Sequence, residues 1–116
     1  MYGTLLAGEK NHALLARSRL AGSGRTRPEY SLHDLGAHPA VAAGGTTAIE
    51  GEIYEVDAET LARLDALEHH PDWYRRTAIT LADGTPVETY LLPASGVHGC
   101  ALIAGGSWRN RFVPRP

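Results

Sequence analysis

The sequence predicts an α+β domain in which mostly antiparallel strands curl around one or two helices. A strand-forming segment at residues 48–56 runs directly into an amphipathic helix, and a tight-turn signal at Asp83-Gly84 joins two further strand-forming segments. With 116 residues, 43% of them hydrophobic, the chain is long enough for one core and too short for two. We therefore expect a single domain over residues 1–116.

The amino-terminal part of the chain carries weak local signals. Residues 1–5 resemble the end of a strand that leads into a turn at Ala7-Gly8, and Asn11 suits the N-cap of a short helix over residues 12–17. Residues 20–47 show scattered glycines and no sustained period. They predict short strands or loops, with strand propensity at residues 30–32 and a turn at residues 38–39.

The central part is better defined. Residues 48–56 are rich in strand formers, and Gly51 in their middle indicates a bulge or a close backbone approach. Asp57 can cap the following helix, which is expected to run to Glu68 and to be stopped by Pro71. Residues 73–81 and 86–92 then form the predicted hairpin around Asp83-Gly84.

Glu68 stands out because the helix phase directs it inward. At about 100° per residue, Leu61, Leu64 and Leu67 share one face, and Glu68 projects between them. An ionised carboxylate is costly to bury without partners, so such a residue is paired, protonated, or placed at a cavity wall where a raised pKa is useful. A solvated helix glutamate is the ordinary alternative, and the phase argues against it.

Composition excludes several functional classes. A net charge of −2 and a pI near 6.3 indicate no nucleic-acid or membrane partner, and the arginines at 109, 111 and 115 resemble a solvated tail. The single Cys100 forms no internal disulfide and has no sequence neighbour that suggests a thiolate nucleophile. The histidines lack metal-ligand spacing, so no metal is expected. The chain has no secretory or membrane-spanning segment, which favours a cytoplasmic protein.

Five sequence blocks in order resemble the gamma-glutamylcyclotransferase-like family. They are YGTL at 2–5 with Gly8, Asn11 and His12, EGEIYEVD at 50–57, LDALE at 64–68, YRR at 74–76 and ALIAGGSW at 101–108. Among its branches, the chain most resembles the one that includes gamma-glutamylamine cyclotransferase. The resemblance implies a mixed barrel-like fold and the release of 5-oxoproline from a small-molecule γ-glutamyl substrate. Family members usually carry several apolar residues before the YGTL segment, so a truncated or very short first strand is expected here.

The chemistry needs no cofactor and no protein nucleophile. In a γ-glutamyl amide, the α-amine of the substrate attacks the γ-carbonyl carbon, closes a five-membered lactam and expels the amine. A base must take a proton from the attacking nitrogen and then supply one to the leaving nitrogen. Glu68, with its pKa raised by apolar neighbours, is the predicted general acid and base.

The remaining candidate residues are predicted to bind substrate. The turn Tyr2-Gly3-Thr4-Leu5 offers backbone N–H groups to an anion, although residues alone favour an ordinary strand end, and the resemblance reverses that preference. Tyr74 and Tyr90 are candidates to line the pocket, and Arg76 to hold a carboxylate bidentately. Packing or pairing within the hairpin explains these three equally well.

Two functional classes therefore remain as alternatives. The first is a cofactor-independent cyclotransferase acting on γ-glutamyl amines or peptides. The second is a non-catalytic small-molecule binding or interaction module that keeps the fold. An inward carboxylate at Glu68 favours the enzyme, because a binding module has little reason to retain it.

Overall fold

A computed structural model describes residues 1–3, 5–6, 8–9, 11–16 and 18–109. Thr4, Ala7, Arg17, Arg111 and Arg115, which carried sequence predictions, lie outside these residues. The described strands are β1 (Arg19–Arg25), β2 (Tyr30–Asp34), β3 (Pro39–Ala43), β4 (Glu50–Glu55), β5 (Arg75–Thr80), β6 (Pro86–Leu91) and β7 (Ala101–Leu102). The helices are α1 (Ala58–Leu67) and two short 3₁₀ helices, His12–Leu15 and Ala94–Val97.

The described strands form three small antiparallel sheets. β1 pairs with β4, β2 lies between β3 and β7, and β5 pairs with β6. Single backbone contacts join the sheets: a bridge between Thr26 and Leu81, and a 2.9 Å bond from the Leu92 N–H to the Val41 carbonyl. The mixed architecture, antiparallel strands with one packed α-helix, confirms the predicted fold class.

Strand β3 separates two hydrophobic clusters. Successive side chains of a strand point to opposite faces, so Ala40 and Ala42 pack into one cluster and Val41 into the other. The first cluster contains Leu5, Leu15, Leu64, Tyr74, Tyr90, Leu92 and Val97, and the second contains Leu32, Ile49, Ile103 and Trp108. Leu64 is 1% exposed, which places the inner face of α1 in the first cluster.

Helix α1 begins where the sequence predicts and ends one residue before the predicted end at Glu68. The Asp57 carboxylate accepts a 2.7 Å hydrogen bond from the Thr60 N–H and caps the helix. The helix ends at Leu67, and Glu68 is its C-cap residue. His69 has a φ of 53°, a left-handed conformation that turns the chain out of the helix before Pro71. The reversal at His69, rather than Pro71, therefore stops the helix.

Other sequence predictions meet different outcomes. The predicted helix over 12–17 is a shorter 3₁₀ helix, His12–Leu15, whereas the short strands expected within residues 20–47 are confirmed as most of β1 and all of β2 and β3. The β-bulge lies in β1 between Leu20 and Gly22. Of the two alternatives predicted at Gly51, the structure confirms the close backbone approach, since a Cβ atom there would lie 2.4 Å from the Met1 carbonyl oxygen. In the described part of the chain, no helix is long and apolar enough to span a bilayer.

Candidate active site

A cavity of about 110 Å³ opens where the first residues of the chain meet the end of α1 and strand β6. We call it the Glu68 cavity. Its described lining residues are Met1, Tyr2, Gly3, Leu5, Asn11, His38, Pro39, Leu67, Glu68, Trp73, Tyr74, Thr89 and Tyr90. The structure thus brings together six of the eight residues predicted for the site, while Thr4 lies outside the described residues and Arg76 lies elsewhere.

The amino-terminal segment forms one wall through a tight turn. The Leu6 N–H donates a 3.0 Å hydrogen bond to the Gly3 carbonyl, which closes the turn. A Cβ atom at Gly3 would lie 2.6 Å from Cγ of Pro39, so glycine is required by close packing. Gly3 and Leu5 are buried, and within the described residues their N–H groups donate no hydrogen bond. Buried N–H groups without acceptors are rare, which makes these two suited to a bound anion.

Glu68 contributes the carboxylate of the cavity. Its backbone is fixed, because its N–H donates to the Leu64 carbonyl at 3.0 Å and its carbonyl accepts from the Tyr74 N–H at 3.2 Å. The side chain is half-buried and, among the residues described, accepts no hydrogen bond and forms no ion pair. Burial raises the pKa of Glu68 to about 7, and the nearby amino group of Met1 opposes this by a smaller amount. Near neutral pH this carboxyl group can both accept and donate a proton.

Three tyrosines line the cavity with their hydroxyl groups engaged. Tyr2 donates to the Tyr90 carbonyl at 2.6 Å, and Tyr74 donates to the Pro39 carbonyl at 2.7 Å. The Tyr90 hydroxyl donates to Oδ1 of Asp65 at 2.6 Å. Burial raises the pKa of each tyrosine above its ordinary value, so all three stay neutral. They shape the wall of the cavity and are held in place by these bonds.

Arg76 is engaged by carboxylates of the protein itself. Its Nη1 lies 2.5 Å from Oδ2 of Asp65, and its Nε lies 3.0 Å from Oε2 of Glu88. Because Asp65 also accepts from Tyr90, Arg76 is linked to the Glu68 cavity through a wall residue and does not line that cavity. The structure therefore places it in the pairing role that the sequence left as the alternative.

Four further polar or aromatic residues line the cavity without having been predicted for the site. They are Asn11, His38, Trp73 and Thr89. The sequence marked Asn11 as a helix cap and as part of the first resemblance block, and its side chain makes no capping bond. His38 and Trp73 had no distinguishing pattern, since one precedes a turn proline and the other begins a hairpin. Only tertiary packing brings these separate segments together.

A larger cavity of about 280 Å³ lies between the β1–β4 and β5–β6 pairs. We call it the barrel cavity. Its lining includes the apolar residues Val41, Ile49, Ile53, Val56, Leu61, Leu64, Ile79, Leu81, Val87 and Leu91. Two of its carboxylates, Glu50 and Glu88, pair with Arg25 and Arg76. Glu52, a third carboxylate of the barrel cavity, pairs with Arg109, whereas Glu68 in the smaller cavity has no such partner among the described residues.

The fold and the Glu68 cavity define a small α+β domain with a small cavity that contains a carboxylate. Within the described residues, no group of three or more His, Cys, Asp or Glu side chains is arranged to hold a metal ion. The chain belongs to the gamma-glutamyl cyclotransferase, AIG2-like family, whose model matches residues 1–110.

Two relatives and one solved structure are similar to this protein over nearly its whole chain. A Vibrio cholerae protein named provisionally as a gamma-glutamylcyclotransferase is 43% identical over 111 residues, which cover 96% of this chain and 94% of the relative. The Escherichia coli gamma-glutamylcyclotransferase family protein YtfP is 33% identical and covers 96% of this chain and 95% of its own. The crystal structure of a uropathogenic E. coli-specific protein superposes with a TM-score of 0.82 at 26% identity, covering 99% of this chain and 94% of that chain.

Proposed function

We propose that this protein is a cyclotransferase that releases 5-oxoproline and a free amine from a γ-glutamyl amine or peptide, with Glu68 as general acid and base. One observation carries the proposal. A half-buried carboxyl group with a pKa of about 7 shares a small cavity with the buried, unpaired N–H groups of Gly3 and Leu5 within the described chain. Family membership supports the same reaction class.

The reaction begins with the free α-amine of the substrate. Its nitrogen attacks the γ-carbonyl carbon, so a new C–N bond forms and the carbonyl oxygen gains negative charge. The Glu68 carboxylate takes a proton from the attacking nitrogen. It then returns this proton to the leaving nitrogen as the original amide C–N bond breaks, which regenerates the carboxylate and releases the lactam and the amine.

The pKa of Glu68 suits both transfers. An α-amine has a reference pKa near ~8, within about one unit of the value for Glu68, so a proton passes between them at little cost. An exposed glutamate with a pKa near ~4.3 would be a much weaker base. The apolar surroundings that burial provides therefore tune the group for catalysis.

The turn at Gly3 and Leu5 supplies the complementary charge. Its N–H groups are suited to bind the substrate α-carboxylate or the oxygen that becomes negative during attack. The small cavity must also fold the glutamyl chain so that its two ends meet. Holding reactants in near-attack geometry lowers the activation barrier by up to ~7–11 kcal/mol in favourable intramolecular reactions. The small size of the cavity favours catalysis in this way.

The decisive experiment measures 5-oxoproline released from γ-glutamyl amines and peptides by the wild-type protein and by Glu68→Gln. We expect the variant to lose about 10²–10⁴-fold in kcat, because the amide keeps the size of the side chain and removes the base. Glu59→Gln is the matched control: Glu59 lies on the same helix, is exposed and pairs only with Arg63 in the described chain. We expect it to keep wild-type activity.

Two outcomes would contradict the proposal. A Glu68→Gln variant that works at the wild-type rate would eliminate Glu68 as the base. A wild-type protein that binds the substrates in calorimetry and releases no 5-oxoproline from any of them would establish the binding module instead.

A further inference from the structure

We propose that Trp73 and His38 form the subsite for the leaving amine, and that this subsite selects an uncharged amine with an apolar group over an amine that carries a carboxylate. This inference rests on the proposed cyclotransferase function and adds its substrate class. It arises from the shape, the aromatic contacts and the charge of the cavity mouth.

The size of the Glu68 cavity limits what it encloses. Its volume of about 110 Å³ is well below the ~300–1,000 Å³ typical of pockets that bury a drug-sized ligand. The γ-glutamyl group must lie inside, because its amine and carbonyl react beside Glu68. The substituent on the leaving nitrogen therefore extends toward the open side of the cavity.

Trp73 marks that open side. It is 42% exposed, more than any other described residue that lines the cavity. His38, which is half-buried, lies edge-on to it with ring centroids 5.3 Å apart. A group leaving the cavity on this side meets the indole surface.

The indole is held in place although it is exposed. Its ring lies 4.9 Å from the Tyr74 ring and 6.0 Å from the His69 ring, in addition to the contact with His38. Tyr74 is itself fixed by its hydrogen bond to the Pro39 carbonyl. An exposed aromatic surface that is already ordered binds an apolar group with little further loss of side-chain entropy.

Charge argues against a leaving group with a carboxylate. The described lining residues include no lysine or arginine, and burial lowers the pKa of the Met1 amino group to about 6, so near neutral pH most of this group carries no charge to pair with a carboxylate. The ionised form of Glu68 would repel it. An uncharged amine avoids both penalties.

Two substrates that differ by one carboxylate test the inference. These are γ-glutamylphenethylamide and γ-glutamylphenylalanine, and γ-glutamylmethylamide serves as a third substrate that lacks the apolar group. We expect kcat/KM for the phenethylamide to exceed that for each of the others by about tenfold or more. Trp73→Ala should lower kcat/KM for the phenethylamide about tenfold and leave the methylamide within about twofold. Trp73→Phe should restore most of the loss and also guards against misfolding of the alanine variant.

Leu102→Ala is the matched control, because Leu102 is a 57% exposed apolar residue that does not line the cavity. It should leave all three substrates unchanged. Equal kcat/KM for the phenethylamide and the phenylalanine conjugate, or an equal effect of Trp73→Ala on every substrate, would overturn this inference and leave the proposed function intact. Release of no 5-oxoproline from any substrate would overturn the proposed function, and this inference with it.

Discussion

At the scale of single residues, Glu68 shows the cost of keeping a carboxylate in an apolar site. Burial raises its pKa from 4.5 to about 7, so the folded state disfavours the ionised form. The folded protein therefore binds a proton more tightly than the unfolded chain between these values. The contribution of Glu68 to stability is full below pH 4.5 and is lost as the pH rises to about 7.

This linkage predicts a pH-dependent gain in stability for Glu68→Gln. The free energy of unfolding of the variant should equal that of the wild type near pH 4.5 and exceed it at pH 8 by about 1–3 kcal/mol, allowing for solvent screening of a half-buried group. Urea unfolding of both proteins at the two pH values measures the difference. Glu59→Gln should show a difference below about 0.5 kcal/mol at either pH. A Glu68→Gln variant less stable than wild type at pH 8 would show that Glu68 contributes to folding.

At the scale of elements, Asp65 joins α1 to the β5–β6 hairpin. It accepts hydrogen bonds from Arg76 on β5 and from Tyr90 on β6. Burial acts to raise the pKa of Asp65, but these hydrogen bonds and the charge of Arg76 together outweigh it, so the pKa lies below its usual range. Glu68 is the C-cap of the helix that carries Asp65, so this contact also sets where the Glu68 carboxylate lies relative to Tyr90.

We expect Asp65→Asn to destabilise the protein by about 1–3 kcal/mol, because it removes the charged acceptor of two hydrogen bonds in a partly buried contact. Glu88→Gln is the control, because Glu88 is the other ion-pair partner of Arg76. The side chain of Glu88 is 55% exposed. This variant should cost less than about 1 kcal/mol. Urea unfolding compares the two variants. Equal losses would mean that Asp65 contributes no more than an ordinary surface ion pair.

At the scale of the whole molecule, the amino-terminal residues Met1 and Tyr2 contribute to the lining of the barrel cavity. Met1 exchanges two 2.7 Å hydrogen bonds with Glu52 on β4, the pattern of an antiparallel pair. Residues added before Met1 would continue this pairing along β4 toward Tyr54 and Val56, both of which line the barrel cavity. The space beside β4 therefore has the position and the apolar character to accept an extended strand.

Adding four residues that alternate valine and threonine before Met1 should raise the melting temperature by several degrees. About 1 kcal/mol of added stability shifts the melting temperature of a domain of this size by about 4–8 °C. A Gly-Ser extension of equal length is the control, because it has the same length without the apolar side chains. Scanning calorimetry measures both. Equal melting temperatures would show that the barrel cavity does not accept a strand.

The sequence by itself determined the features that depend on neighbouring residues. The Asp57 cap, the Asp83-Gly84 turn and the inward phase of Leu64 and Glu68 follow from local hydrogen bonding and helix geometry. The α+β class and the family could be predicted from these segments and their order.

Only the tertiary structure decided what distant segments form together. β1 pairs with β4 in a register that joins Arg19 to Glu55, so the bounds of β1 depend on a partner far along the chain. Arg76 turned out to pair with Asp65 because the hairpin packs on α1. Likewise, His38 and Trp73 meet Glu68 at one cavity only after folding, since contacts between distant segments depend on the packing of the whole core.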